Sequence, residues 1–399
     1  MIAHAAMTTS CNSHWLQQRL LSCASPRFSL PKINASLKRR VQLSSRFPCR
    51  ALYVDDEDYL LDAPVSAGDG FSFAGGKYSI EEGPSEKWFA RGKWINAYAM
   101  KDGSKKARDP VFGLALGEAS QVSDESLRWF CVEEGDSQNA SVLLVHGFPS
   151  QSYSYRNVLP ILSSEFHVIA FDWVGFGFSD KPQVNYGFNY TMEEYINAFT
   201  CLVESLALER MSIVCQGFAT PVVLEFARRN EKKVDRLVLL NPPVTEQHAK
   251  LPSALSIFTN FLLGEIFVQD PLKAGENPIN ECGPYVLNEE DAMVYRRPYL
   301  TSGSAGFALQ AISRELKKEL KGLVKTSRQI LSDDKWNKRT SVIWGSKDRW
   351  LELTGVQELA KSVGLKLTIL EEVGHHGQED FPEEVGAAIR ASLKRPLLV

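Results

Sequence analysis

The chain has 399 residues, of which 44% are apolar and 23% charged, with a formal net charge of −3. Those proportions are ordinary for a globular protein, and the sequence holds no run of roughly 18 consecutive apolar residues of the kind that spans a bilayer. Seven scattered cysteines (Cys11, Cys23, Cys49, Cys131, Cys201, Cys215, Cys282) form no CxxC pair and no framework spacing. This points to a reducing compartment and away from a structural zinc site. The reading calls for no cofactor and no metal.

Residues 1–50 contain no Asp or Glu but eight Lys/Arg and eight Ser. An acid-free, basic, hydroxyl-rich start is the composition of an organelle transit peptide. Serine richness favours the chloroplast, with the mitochondrion as alternative. Without those eight bases, 37 basic residues stand against 48 acidic ones, a net charge near −11. Such a balance is expected to repel nucleic acid and anionic lipid, which leaves a small uncharged or apolar molecule as the partner. Oligomeric state is not encoded in any pattern we find.

Residues 51–108 are polar with interspersed Gly, Pro and aromatics, and read as an irregular lead-in. From 109 onward strands and helices alternate. "VFGLALGEA" and "SLRWFCVEEG" have the look of a hairpin, followed by the buried strands "SVLLVHGF" and "HVIAFDWVGFG". The helix "TMEEYINAFTCLVESLAL" begins at Thr191 with Glu194 three residues on, a capping-box pattern. "MSIVC", the helix "PVVLEFARRN", "RLVLLNPP", "SVIWGSKD", "GVQELAKSV", "KLTILEEVG" and "PEEVGAAIRASLKR" complete the series. Short buried strands between amphipathic helices imply an α/β architecture with a mostly parallel sheet covered on both faces. Residues 245–338 are too long for one crossover. They read as a helical cap inserted after the sixth strand, between core segments 109–244 and 339–399.

Five motifs stand in a fixed order: "HGFPSQSYSYR" at 146–156, "DWVGFGFSDKP" at 172–182, "VYRRPY" at 294–299, "WGSKD" at 344–348 and "GHHGQED" at 374–380. In this the chain resembles the α/β-hydrolase fold, specifically the capped branch of epoxide hydrolases and haloalkane dehalogenases, over roughly residues 125–395. In that family a strand, a sharp turn and a helix carry the nucleophile. The matching stretch here is "VCQGFATP" at 214–221, and the resemblance puts Gly217 at the nucleophile position. Glycine suits a turn of positive φ but supplies no attacking atom. A shifted frame would make Cys215 the nucleophile, at the cost of bulky Ile213 where the turn needs a small residue.

The resemblance further implies that His375 is the catalytic histidine and Asp348 the acid that orients it. It also implies that the backbone N–H groups of Phe148 and Phe218 form an oxyanion site, with a cis bond before Pro149. His146 is expected to brace that loop, and His376 to point elsewhere. Relatives that expel halide place side-chain N–H donors at the positions of Phe148 and Phe218, which phenylalanine lacks; dehalogenation is not expected. Tyr295 and Tyr299 match cap tyrosines that polarise an epoxide oxygen, or else pack. Three functions follow: a hydrolase-like enzyme acting on a small apolar ester or epoxide through the His–Asp dyad; a ligand-binding pseudo-hydrolase; and a Cys215 thiol hydrolase.

Overall fold

Apolar runs flanked by turn residues become the inner strands of one sheet, because a strand buried on both faces needs nearly continuous hydrophobic sequence. The computed structural model describes residues 83–99, 126–184 and 187–396. They belong to a compact unit running from Ala63 to Val399. The expected transit peptide, residues 1–50, lies outside the described residues, as does the first half of the expected hairpin.

Eight strands are ordered β1-β2-β4-β3-β5-β6-β7-β8. β1 (Gly92–Ala99), β2 (Ser126–Glu134), β3 (Ser141–Val145) and β4 (His167–Phe171) come first in the chain. They are followed by β5 (Met211–Gln216), β6 (Val234–Leu240), β7 (Thr340–Gly345) and β8 (Lys366–Leu370). β1 and β2 run antiparallel, as do β2 and β4; all other pairs are parallel. The mostly parallel α/β sheet with a helical insertion after the sixth strand is therefore as expected.

One expectation for the first third is corrected. The lead-in is not irregular over its described part: α1 (Pro84–Ala90) leads directly into edge strand β1. Pro84 opens the helix where its missing N–H costs nothing. Residues 126–132 pair with Gly92–Ala99, whereas 111–119, the expected hairpin partner, lie outside the described residues. Aromatics of the lead-in help to hold this edge. Phe89, Trp94 and Phe130 contact one another across that edge, with Trp94 to Phe130 ring centroids 6.2 Å apart.

Helix α2 (Met192–Ser205) packs against β1 and against α3 (Thr220–Arg229), which follows and contacts β5. The capping box at α2 forms as read: Thr191 Oγ1 accepts from the Glu194 N–H at 3.3 Å while Glu194 returns a bond to the Thr191 N–H. In the cap, α4 (Leu262–Phe267), α5 (Glu289–Thr301) and α6 (Gly303–Ser332) follow in order. α6 buries Leu309, Ile312, Leu316, Leu320, Val324, Ser327 and Ile330, three or four residues apart, so one stripe faces the core. α7 (Thr354–Val363) and α8 (Pro382–Lys394) close the chain against β7 and β8.

β3 lies between β4 and β5, so successive connections leave it in opposite directions. A crevice forms at such a reversal, beyond the carboxyl ends of the strands. Phe148, Gly217, Phe218, Asp348 and His375 all follow strand ends on that edge, while Tyr295 and Tyr299 lie on α5 of the cap.

Candidate active site

At the end of β5 the backbone passes from extended Gln216 (φ −104°, ψ 138°) through Gly217 at φ +56° into a helical turn and α3. This left-handed step at the tip is where a side chain would be strained. A Cβ placed on Gly217 would stand 2.9 Å from Nε2 of His375, closer than unbonded carbon normally approaches. The imidazole is thus closed over the glycine.

His375 comes from the loop after β8 and Asp348 from the loop after β7, and Nδ1 of His375 lies 2.7 Å from Asp348 Oδ2. Asp348 also accepts from the N–H groups of Trp350 (2.7 Å) and Leu351 (2.9 Å) through Oδ1, and from Asn241 Nδ2 (2.7 Å) through Oδ2. Four donors on one buried carboxylate fix its orientation. With Nδ1–H given to Asp348, Nε2 of His375 carries the lone pair, and it has no hydrogen-bond partner among the described residues. Trp350 (ring centroid 5.0 Å) and His376 (5.2 Å, perpendicular) flank the ring. His376 is buried, and burial first, then the neighbouring His375, holds it well below the usual histidine range and therefore neutral.

Sequence reasoning missed two supporting residues. Asn241, at φ +44° after β6, clamps the Asp348 loop: besides its bond to Asp348 it accepts from the Gly345 N–H at 2.9 Å and donates to the Gly345 carbonyl at 3.2 Å. An Asn before two prolines was the signal available. Gln216 donates through Nε2 to the His375 carbonyl at 3.0 Å, tying the turn to the histidine loop. Its Oε1 lies so close to Gly147 that a Cβ there would overlap it at 1.6 Å, which requires glycine in "HGFP".

His146 braces its loop: Nδ1–H donates to the Gly147 carbonyl at 2.8 Å and Nε2 accepts from the Trp173 N–H at 3.0 Å. Complete burial pulls its pKa down to about 4, so it is a neutral strut. The Phe148–Pro149 bond is cis. Phe148 and Phe218 both line an apolar cavity of about 60 Å³, with Phe176, Val222, Ile312 and Leu316. Glu315 and Glu319 of α6 are the acidic members of that lining.

Tyr295 and Tyr299 do not line this cavity. Tyr295 is buried, donates its hydroxyl to Glu379, and packs edge-on against Tyr153 at 6.0 Å. Tyr299 stands with Tyr295 beside Ser150, Gln151, Phe176 and Gly177. The Tyr295 bond belongs to a buried ionic cluster in which Arg156 meets Glu379 at 2.7 Å and Asp291 at 2.6 Å. It fastens α5 of the cap to the histidine loop.

The geometry does not serve the thiol alternative. Cys215 is fully buried in the core beside Val145 and Leu239 of the neighbouring strands. Its sulfur lies 4.0 Å from Thr220 Oγ1, and burial pushes the thiol pKa up, against formation of the thiolate that would attack. Among the described residues no group of three or more His, Cys, Asp or Glu is arranged to hold a metal.

Comparison with known proteins bears on this arrangement. A family model for the alpha/beta hydrolase fold matches residues 140–382. The chain is 33% identical over 157 residues to a cis-3-alkyl-4-alkyloxetan-2-one decarboxylase of Shewanella oneidensis, covering 38% of this chain and 46% of that protein. It is 32% identical over 123 residues to epoxide hydrolase 3 of Xenopus tropicalis, covering 31% and 33%. These matches span less than half the length of either relative. The crystal structure of a haloalkane dehalogenase, DbeA, from Bradyrhizobium elkani aligns over 75% of this chain and 96% of its own, with a TM-score of 0.60 and 20% identity. That likeness is one of fold.

Proposed function

The chain belongs to the alpha/beta hydrolase fold family, and we propose that it is a hydrolase-like enzyme working by proton transfer at His375. In this reading Gly217 occupies the place of the attacking side chain. The observation that carries the reading is the unpartnered, inward-facing Nε2 of His375, held by Asp348 directly over the glycine. A pocket needs no aligned imidazole with a four-donor carboxylate behind it; a base does.

The proposed step involves no covalent enzyme intermediate. His375 takes a proton from water as the water oxygen attacks a carbonyl or epoxide carbon, and returns that proton to the leaving oxygen. Asp348 steadies the transient imidazolium. The N–H groups of Phe148 and Phe218 face the oxygen that gains charge. The apolar lining around Phe148, Phe176 and Leu316 selects a small apolar ester- or epoxide-type metabolite. Alkyl oxetan-2-ones join the panel of substrates because one relative is named for acting on them. Phenylalanine at 148 and 218 offers no halide-binding side-chain donor, which argues against dehalogenation. The acid-free, serine-rich start supports placing the protein in the plastid.

A second reading has its own support. His375 is not among the cavity's lining residues, so a ligand can sit there without meeting the dyad. Turnover of an ester, epoxide and oxetanone panel by wild type and by His375→Ala separates the two. The enzyme predicts turnover that the substitution removes while ligand binding persists. A pseudo-hydrolase predicts no turnover from either protein, with a ligand-dependent rise in Tm.

A further inference from the structure

Outside the site, the cap carries a surface that neither the fold nor the dyad uses. Four large apolar side chains in and beside α4 are exposed: Phe261 (74%), Leu262 (67%), Leu263 (53%) and Ile266 (63%), with Phe307 of α6 at 48%. A monomer normally scatters such residues singly, and a contiguous group marks an interaction site.

The neighbouring face of α6 is basic. Phe307, Arg314, Lys317, Lys318, Lys321, Lys325 and Arg328 fall within an arc of about 100° at helical spacing. The acids of the mid-helix, Glu315 and Glu319, turn aside toward the cavity. Lys318 pairs with Glu315 at 3.2 Å, whereas Lys321, Lys325 and Arg328 have no ion-pair partner among the described residues. The two features join: Lys317 Nζ donates to Thr259 Oγ1 at 2.9 Å, and Arg314 reaches Glu265 of α4 at 3.9 Å. The strip thus begins where the apolar group sits.

We infer that this face of the cap docks on an anionic lipid bilayer, α4 inserting its apolar side chains at the headgroup boundary while the α6 bases lie along the phosphates. Charge complementarity selects this occupant. A second copy of the chain would set basic strip near basic strip, and a nucleic acid backbone offers nothing to Leu262 or Ile266. An anionic bilayer answers both halves of the surface, as for other interfacial helices. The net charge near −11 expected to repel such lipid is the sum over residues 51–399; this strip is its local opposite. The inference does not depend on the proton-transfer reading of His375.

The test is vesicle flotation of the full chain with phosphatidylcholine vesicles, with and without one third phosphatidylglycerol. Two double variants accompany wild type: Lys321→Glu/Lys325→Glu and Leu262→Ser/Ile266→Ser. Both keep the basic first fifty residues, so any lipid binding by that segment is common to all three. Wild type is expected to float with the anionic vesicles and not the neutral ones. Partitioning should fall at least about tenfold in the charge variant, given roughly fivefold per basic residue near an anionic surface, and about tenfold or more in the apolar variant. An unchanged Tm shows that both variants fold. Equal binding to neutral vesicles, no flotation, or flotation unaltered in both variants overturns the inference. So does sedimentation showing a dimer that the apolar variant dissolves while lipid binding is unaffected.

Discussion

The carboxyl edge of the sheet and the cap that covers it are built on opposite terms. At the edge, polar atoms are tied to one another across loops distant in sequence. Asp348 takes four donors, Asn241 binds both Asp348 and the Gly345 backbone, and Gln216 holds the His375 carbonyl. In the cap, α6 packs by an apolar stripe, α5 is fastened through the Arg156 cluster, and α4 turns apolar side chains outward. The difference teaches where precision is needed. The proposed proton transfer at Nε2 requires an orientation held by hydrogen bonds, whereas the proposed docking requires only shape and surface.

The sharpest break of that comparison is at the proposed base. His375→Ala is expected to lower turnover by roughly a thousandfold or more, with unfolding free energy little changed; unaltered kcat would remove His375 from the reaction. The cluster between the two regions comes next. Arg156→Met leaves the buried Glu379 carboxylate and the part-buried Asp291 without their cation, and should cost about 3 kcal/mol in urea unfolding.

The pH response of the edge follows. His146, with its pKa drawn from 6.5 to about 4, binds a proton more readily unfolded than folded. Its contribution is complete above pH 6.5 and is lost as pH falls through about 4, on the order of 3 kcal/mol in all. Asp380 acts with the opposite sign: burial raises its pKa from 3.8 to about 6, so its contribution diminishes as pH rises across that interval. An NMR titration of His146 separates them, since its imidazole should stay neutral down to about pH 4.

A smaller effect is expected at the turn. Gly217→Ala puts a Cβ at φ +56° and against His375, and should cost about 1–2 kcal/mol with a displaced imidazole. The smallest is expected on the cap exterior, where Lys321→Ala should shift stability by no more than about 0.5 kcal/mol while weakening any attachment to anionic vesicles.

The strands from β3 onward, the capping box of α2 and the cap's place after β6 were legible because hydrophobic period and turn residues are local signals. Gly217, His375 and Asp348 were legible because short motifs bracket them. The pairing of Gly92–Ala99 with Ser126–Glu134 was not, since a strand's partner depends on contacts that no local window contains. Asn241 and Gln216 were missed for the same reason: each acts on a residue more than 100 positions away.

Composition and periodicity determined most of the strands and helices after residue 125, and the family resemblance put a glycine, bearing only hydrogen, at the turn tip. The tertiary structure alone decided that Cys215 is sealed within the core, that Tyr295 serves Glu379, and that Nε2 of His375 closes on the glycine. The reason is geometric. A residue's conformational preference is set by its near neighbours in sequence, whereas the direction, burial and partner of a side chain are set by whatever the folded chain brings beside it.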